Sequence, residues 1–178
     1  MLKVALLALF LASPVVAQDS AQAALGAAGC GPNDVHFDVK TDKKQHPTAQ
    51  PDNGKALVYV IGDSWFDHAA IHIGTPPMRF GVDGTWVGAN GYRSYFFFPV
   101  DAGDHHLCTN MQAKFEGQVK SSTAAISFTA EPGQTYYFRT VTPESAGTTD
   151  KIKLVRVDPA EAQVLISATS FSTFHVKK

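Results

Sequence analysis

The sequence predicts an all-β fold, an antiparallel β-sandwich of about eight or nine short strands with one short C-terminal helix. Three observations carry this. Apolar and polar residues alternate over short runs, as in Val35, Phe37 and Val39 or in Ala124, Ile126, Phe128 and Ala130, the period of a strand with one face inward. Turn signals such as Asn53-Gly54, Asp83-Gly84 and Pro132-Gly133 separate those runs at short intervals. Helical signals are confined to one place, Asp158-Pro159-Ala160-Glu161, where Asp caps, Pro takes the first helical position and Glu reaches back.

The first 17 residues read as a signal peptide: Lys3 is the positive start, Val4 to Leu11 the apolar stretch, and Val15-Val16-Ala17 the cleavage site before Gln18. The apolar run is too short to span a bilayer, so export to the periplasm or beyond is expected, with no transmembrane segment in the mature chain. Cleavage takes one Lys from 15 basic residues and nothing from 16 acidic ones, leaving a net charge of about −2. With Lys and Arg scattered and no basic stripe, nucleic acid is excluded as a partner. Residues 18–33 read as a flexible leader, and residues 34–178 as a single domain.

Two cysteines, Cys30 and Cys108, remain after cleavage. Ala27-Ala28-Gly29 before Cys30 raises the alternative of a lipid anchor, but the apolar stretch ends too far upstream. In an oxidising compartment a Cys30–Cys108 disulfide is the expected state.

Within the domain, residues 35–39 form the first strand and Thr41 to Lys55, with its Lys and Pro residues, a surface loop. Ala56 to Ile61 is apolar on both faces, as in a strand covered on both sides. Ser64 to Thr75 is open between strand and helix, and Pro76-Pro77 ends it. Phe80 to Leu107 reads as a β-meander, turning at Asp83-Gly84 and again at Asp101 to Asp104, with the aromatic run Tyr95 to Phe98 as its central strand. Glu131-Pro132-Gly133-Gln134 is a type II turn joining the strand 124–130 to 135–141 as a hairpin. Lys151 to Val157 is a strand, followed by the helix with Ala162, Leu165 and Ile166 on one face.

Three constellations could carry chemistry. Gly62-Asp63-Ser64 at a strand end resembles the first block of the GDSL-type hydrolases, which implies Ser64 as nucleophile. The other blocks of that family are missing or out of order here: Gly31-Pro32-Asn33-Asp34 precedes the serine, and His175 has no acid three positions before it. Ser64 paired with His68 or His72 is therefore the enzymatic alternative, against a plain turn in which Asp63 and Ser64 bond locally. Secondly, His68, His72 and one of His105 and His106 could hold zinc if the fold collects them. Adjacent His105 and His106 point to opposite faces of a strand, and scattered surface histidines are the simpler reading. Finally, Trp65, Trp86 and Tyr92 lead a set of aromatics suited to stacking on a ligand; Phe96 and Phe98 are assigned to the core.

Lys55 to Val60, Val82-Asp83-Gly84-Thr85-Trp86-Val87-Gly88, Tyr95 to Val100, Ala102-Gly103-Asp104-His105 and Glu131 to Tyr137, in this order, resemble a family of bacterial exported proteins and lipoproteins catalogued as a domain of unknown function. The middle of the chain is similar to the PEGA surface domains. The resemblance implies an envelope β-sandwich of immunoglobulin or PEGA type and no particular activity. The expected function is thus a non-catalytic binding module, engaging an envelope protein or a small surface ligand, without a cofactor.

Overall fold

The computed structural model describes residues 26, 28–63, 77–115, 118–141 and 152–178, with side chains at all of these except 63, 112–115 and 118–121. The signal peptide, and Ser64, Trp65, His68 and His72, lie outside the described residues.

In chain order the strands are β1 (Phe37–Asp42), β2 (Lys55–Asp63), β3 (Met78–Val82), β4 (Thr85–Asn90), β5 (Ser94–Asp101), β6 (Gly103–Phe115), β7 (Gln118–Ala130), β8 (Thr135–Val141) and β9 (Lys153–Val157). The helix α1 (Pro159–Ala168) and β10 (Ser170–Val176) follow. They form a six-stranded sheet, β1-β10-β5-β2-β8-β9, and a four-stranded sheet, β4-β3-β6-β7. The all-β two-sheet fold with a short C-terminal helix is as the sequence predicts. Among the described residues it has ten strands instead of eight or nine. Two neighbouring pairs, β10–β5 and β2–β8, run parallel within the otherwise antiparallel arrangement.

The stretch from Phe80 to Leu107 is not a meander. Its β3 and β4 form a hairpin through the Asp83-Gly84 turn, but β5 lies in the other sheet, between β2 and β10, and β6 returns to pair with β3. The cause is the two-sided apolar character of β5. Phe96 and Phe98 face inward with Val58, Val60, Phe80 and Phe138, while Tyr95 and Phe97 face outward onto a second cluster with Tyr59, Ala162 and Ile166. Among the described residues the six-stranded sheet has the second sheet on one face and α1 on the other, so a strand apolar on both sides is stable there. The same holds for β2, whose alternate residues divide between the two clusters.

The turn at 131–134 is type II, with Gln134 N–H donating to the Glu131 carbonyl at 3.2 Å and Gly133 at φ 77°. It does not close a hairpin: β7 pairs with β6, and β8 with β2 and β9. The helix begins as expected, Asp158 Oδ1 accepting from the amides of Ala160 and Glu161 at 2.8 and 2.9 Å. Ala162 and Ile166 are its buried residues, set against Leu57, Tyr59 and Ile61. β10 has no counterpart in the sequence reading, because Ser-Phe-Ser-Thr-Phe lacks a clean alternation.

Cys30 and Cys108 are paired, with Cα atoms 5.3 Å apart, and both are buried. The bridge fastens residues 28–35 to the four-stranded sheet. Within the stretch 18–33 expected as a leader, Cys30 and Gly31 are buried, and Gly84 N–H donates to the Gly29 carbonyl at 3.0 Å. The signal missed was Arg79, whose guanidinium donates to the carbonyls of Asn33 and Val35. Among the described residues no helix is long and apolar enough to cross a membrane.

Candidate functional site

One of the concave surfaces of this protein lies beside a chain crossing between the two sheets. The crossing from β4 to β5 is the turn Gly91-Tyr92-Arg93. Buried serines pin it at the base: Ser94 Oγ donates to the Gly91 carbonyl at 2.9 Å, Gly91 N–H donates to Ser172 Oγ at 3.3 Å, and the two serine hydroxyls are 2.6 Å apart. On its far side the Arg93 carbonyl accepts from Ser170 N–H at 3.0 Å, tying the turn to the start of β10. Tyr92 and Arg93 are thus exposed side chains on an anchored backbone, and Tyr92 is 44% exposed.

Beside this turn lies an open cleft of about 630 Å³, bounded by the end of β1, the following loop and the end of α1. Its lining includes Thr41, Lys43, His46, Tyr92, Arg93, Ser167 and Ser170. Behind the lining, the His46 ring stacks on Tyr95 at 6.4 Å with the planes 12° apart, and Tyr95 Oη donates to the Pro47 carbonyl at 3.3 Å. Burial pushes the Tyr95 hydroxyl up to about 12, so it stays protonated.

Trp86 occupies a different place. Its Nε1 donates to the Pro32 carbonyl at 2.7 Å, and the Arg79 guanidinium carbon sits 4.4 Å from the ring centroid. Gly31 passes so close that a Cβ there would meet Trp86 Cδ1 at 2.4 Å, which explains a glycine at this position. The indole therefore clasps residues 31 and 32 over the disulfide. It also contributes to a second, more apolar cleft of about 590 Å³ with Phe37, Val87, Phe174 and Val176. Trp86 and Tyr92 are not brought together, and Trp65 lies outside the described residues.

His105 is engaged at both ring nitrogens: Nδ1 is 2.6 Å from Asp83 Oδ2, and Nε2 is 2.8 Å from the Asp101 carbonyl oxygen. Both partners are acceptors, so the geometry favours the doubly protonated ring, which offers no lone pair to a metal. His106 is on the other face and well exposed. His105 is therefore removed from the zinc set considered with His68 and His72. Among the described residues no group of three His, Cys, Asp or Glu is placed to hold a metal ion.

The His105–Asp83 pair makes stability pH-dependent. Burial alone would lower the His105 pKa from 6.5, but the bonds to Asp83 and to the Asp101 carbonyl, with the charge of Asp83, outweigh it and the net shift is upward. For Asp83, burial would raise the value from 3.8, and the bonds from His105 and the His106 amide bring it down. A raised imidazole pKa stabilises fully below 6.5 and its contribution is lost as pH rises through the folded value. A lowered carboxylate pKa stabilises above 3.8 and its contribution is lost as pH falls through the folded value. The pair thus contributes most between roughly pH 4 and 6.5. Urea-unfolding free energies measured from pH 4 to 9 should decline above neutrality in the wild type and decline less in His105→Gln. Superimposable profiles would overturn the assignment.

The residues that sequence reasoning missed are Lys43, His46 and Arg93. They are separated by up to fifty positions and meet only because β1 and β5 are both neighbours of β10. No local pattern joins them. The chain matches no protein-family model, no curated protein and no solved structure.

Proposed function

We propose that this chain is an exported, non-catalytic binding module of the cell envelope, and that its ligand site is the cleft beside the Gly91–Arg93 turn. The observation that carries the reading is the turn itself: an exposed tyrosine ring on a backbone fixed at both ends by buried serines, at the rim of a cleft in the size range of small-molecule sites, ~300–1,000 Å³. A pre-anchored aromatic loses little conformational freedom when a ligand stacks on it. Export is supported by the charged-then-apolar N-terminal pattern of residues 1–17 and by the disulfide, which suits an oxidising compartment. The likeness of the hairpin motifs to exported domains of unknown function and to PEGA domains is in keeping with an envelope role.

Saturation-transfer NMR on the mature protein with a panel of oligosaccharides and short peptides tests the reading. At least one ligand class should give a signal that Tyr92→Ala abolishes while leaving the melting temperature within a degree or so. Silence across the panel, or signals indifferent to Tyr92→Ala, would overturn it. Fluorophosphonate labelling that disappears in Ser64→Ala would replace it with the serine-hydrolase alternative using His68 or His72.

A further inference from the structure

We infer that the ligand of the Tyr92–Arg93 cleft is a carboxylate-bearing saccharide, its acid group met by Arg93 and Lys43 and its ring face by Tyr92; this rests on the reading of that cleft as the ligand site. The first support is charge. Among the described residues the cations Lys43 and Arg93 line the cleft, with the His46 ring between them in sequence, and no Asp or Glu does, in a chain whose formal net charge is −1. Cations gathered without acids in a concave site are suited to a ligand that brings its own negative charge, and a planar guanidinium fits a carboxylate in two-point fashion.

The second support is backbone conformation. Among the described residues only two non-glycine residues have positive φ, Asp83 at 50° and Arg93 at 46°. The left-handed region is costly for an L-residue with a Cβ, and glycine would remove that cost. At Asp83 the reason for keeping a side chain is visible: its carboxylate accepts from the His106 amide at 2.8 Å and binds His105. The Arg93 side chain makes no hydrogen bond or ion pair among the described residues and lines the cleft instead. A strained position that holds an arginine with no internal use is a position kept for what the side chain meets from outside.

The third support is the rest of the wall. Thr41, Ser167 and Ser170 add hydroxyls around the cleft, which suits a hydroxyl-rich ligand. Tyr92 offers an exposed ring face suited to stacking on a sugar ring, beside the smaller apolar contributions of Val39 and Ala168.

The test is calorimetric titration of the wild type, Tyr92→Ala, Arg93→Asn and Lys43→Gln with uronate- and sialate-bearing oligosaccharides and with their methyl esters. Asparagine is chosen because it tolerates positive φ. The expected result is at least tenfold tighter binding of an acid than of its ester, a preference that collapses in Arg93→Asn and weakens with added salt. Equal binding of acid and ester, lost in Tyr92→Ala, would overturn the anionic class and leave the cleft as a saccharide site. Binding of no saccharide, with the NMR panel also silent, would overturn both readings. Binding instead to phosphatidylglycerol vesicles, lost in Arg93→Asn, would overturn the saccharide and make the cations a membrane contact.

Discussion

Replacing Cys30 and Cys108 by serine, or reducing their bridge, should lower the free energy of unfolding by about 2–4 kcal/mol, a large share of the stability of a domain this size. The bridge spans 78 positions and joins residues 28–35 to β6. Without it the segment rests on non-covalent contacts alone: the Gly84–Gly29 backbone bond, the indole of Trp86 against Gly31 and Pro32, and the bonds from Arg79. Opening the closed loop enlarges the set of unfolded conformations, so most of the loss arises in the unfolded state. Urea unfolding of the oxidised, reduced and double-serine forms measures it. Agreement of all three to within 0.5 kcal/mol or so would mean that the unfolded chain gains nothing from being opened, contrary to this account.

The second large effect is expected at Arg79. This arginine is 4% exposed, and burial pulls its pKa down to about 10, so it remains charged at neutral pH. It donates to two backbone carbonyls, at Asn33 and Val35, and to Asn110 Oδ1, and it lies against the Trp86 ring. Arg79→Ala removes a donor shared by three oxygens and leaves a cavity beneath the indole. Hydrogen bonds to charged groups are worth about 1.5–3 kcal/mol each, so a total loss of roughly 3–5 kcal/mol is expected. Arg79→Met keeps most of the volume and removes the desolvated charge, so it should recover part of the loss and separate packing from hydrogen bonding. Arg79→Lys should not restore the wild type, because one ammonium cannot reproduce the planar fork. Full stability in Arg79→Ala would show that the bonds from Arg79 are not needed to hold the segment 28–35.

How much of this could be read from the sequence divides along a physical line. Features set by local chemistry were legible: the Asp158 cap with Pro159 behind it, the type II turn at Pro132-Gly133, the Asp83-Gly84 hairpin, and the two-sided apolar strands β2 and β5. Features set by which strands become neighbours were not. Alternation shows which way a side chain faces, but the same alternation serves a hairpin partner or a strand in the opposite sheet, so the meander and the 131–134 hairpin were misread. The candidate site shows the same division. Tyr92 and Trp86 stood out by residue type. Their separation into two clefts, and the convergence of Lys43, His46 and Arg93 beside Tyr92, depend on the placement of β10, a strand whose sequence lacks the usual alternation.

The exchange of strands between sheets also bears on how this chain acquires its structure. In the four-stranded sheet, β3 with β4 and β6 with β7 are sequence-adjacent hairpins closed by short connections. In the six-stranded sheet, Leu57 pairs with Thr135 and Ser94 with Ser170. Pairings this distant carry a large loop-closure entropy before any contact repays it, and they slow folding. The small sheet can therefore assemble early, while the large one waits for the C-terminal strand. Until β10 docks, the aromatic faces of β5 and the Gly91–Arg93 turn lack one of their supports, so the cleft beside that turn is among the last features to form and truncation near the C-terminus would remove it first.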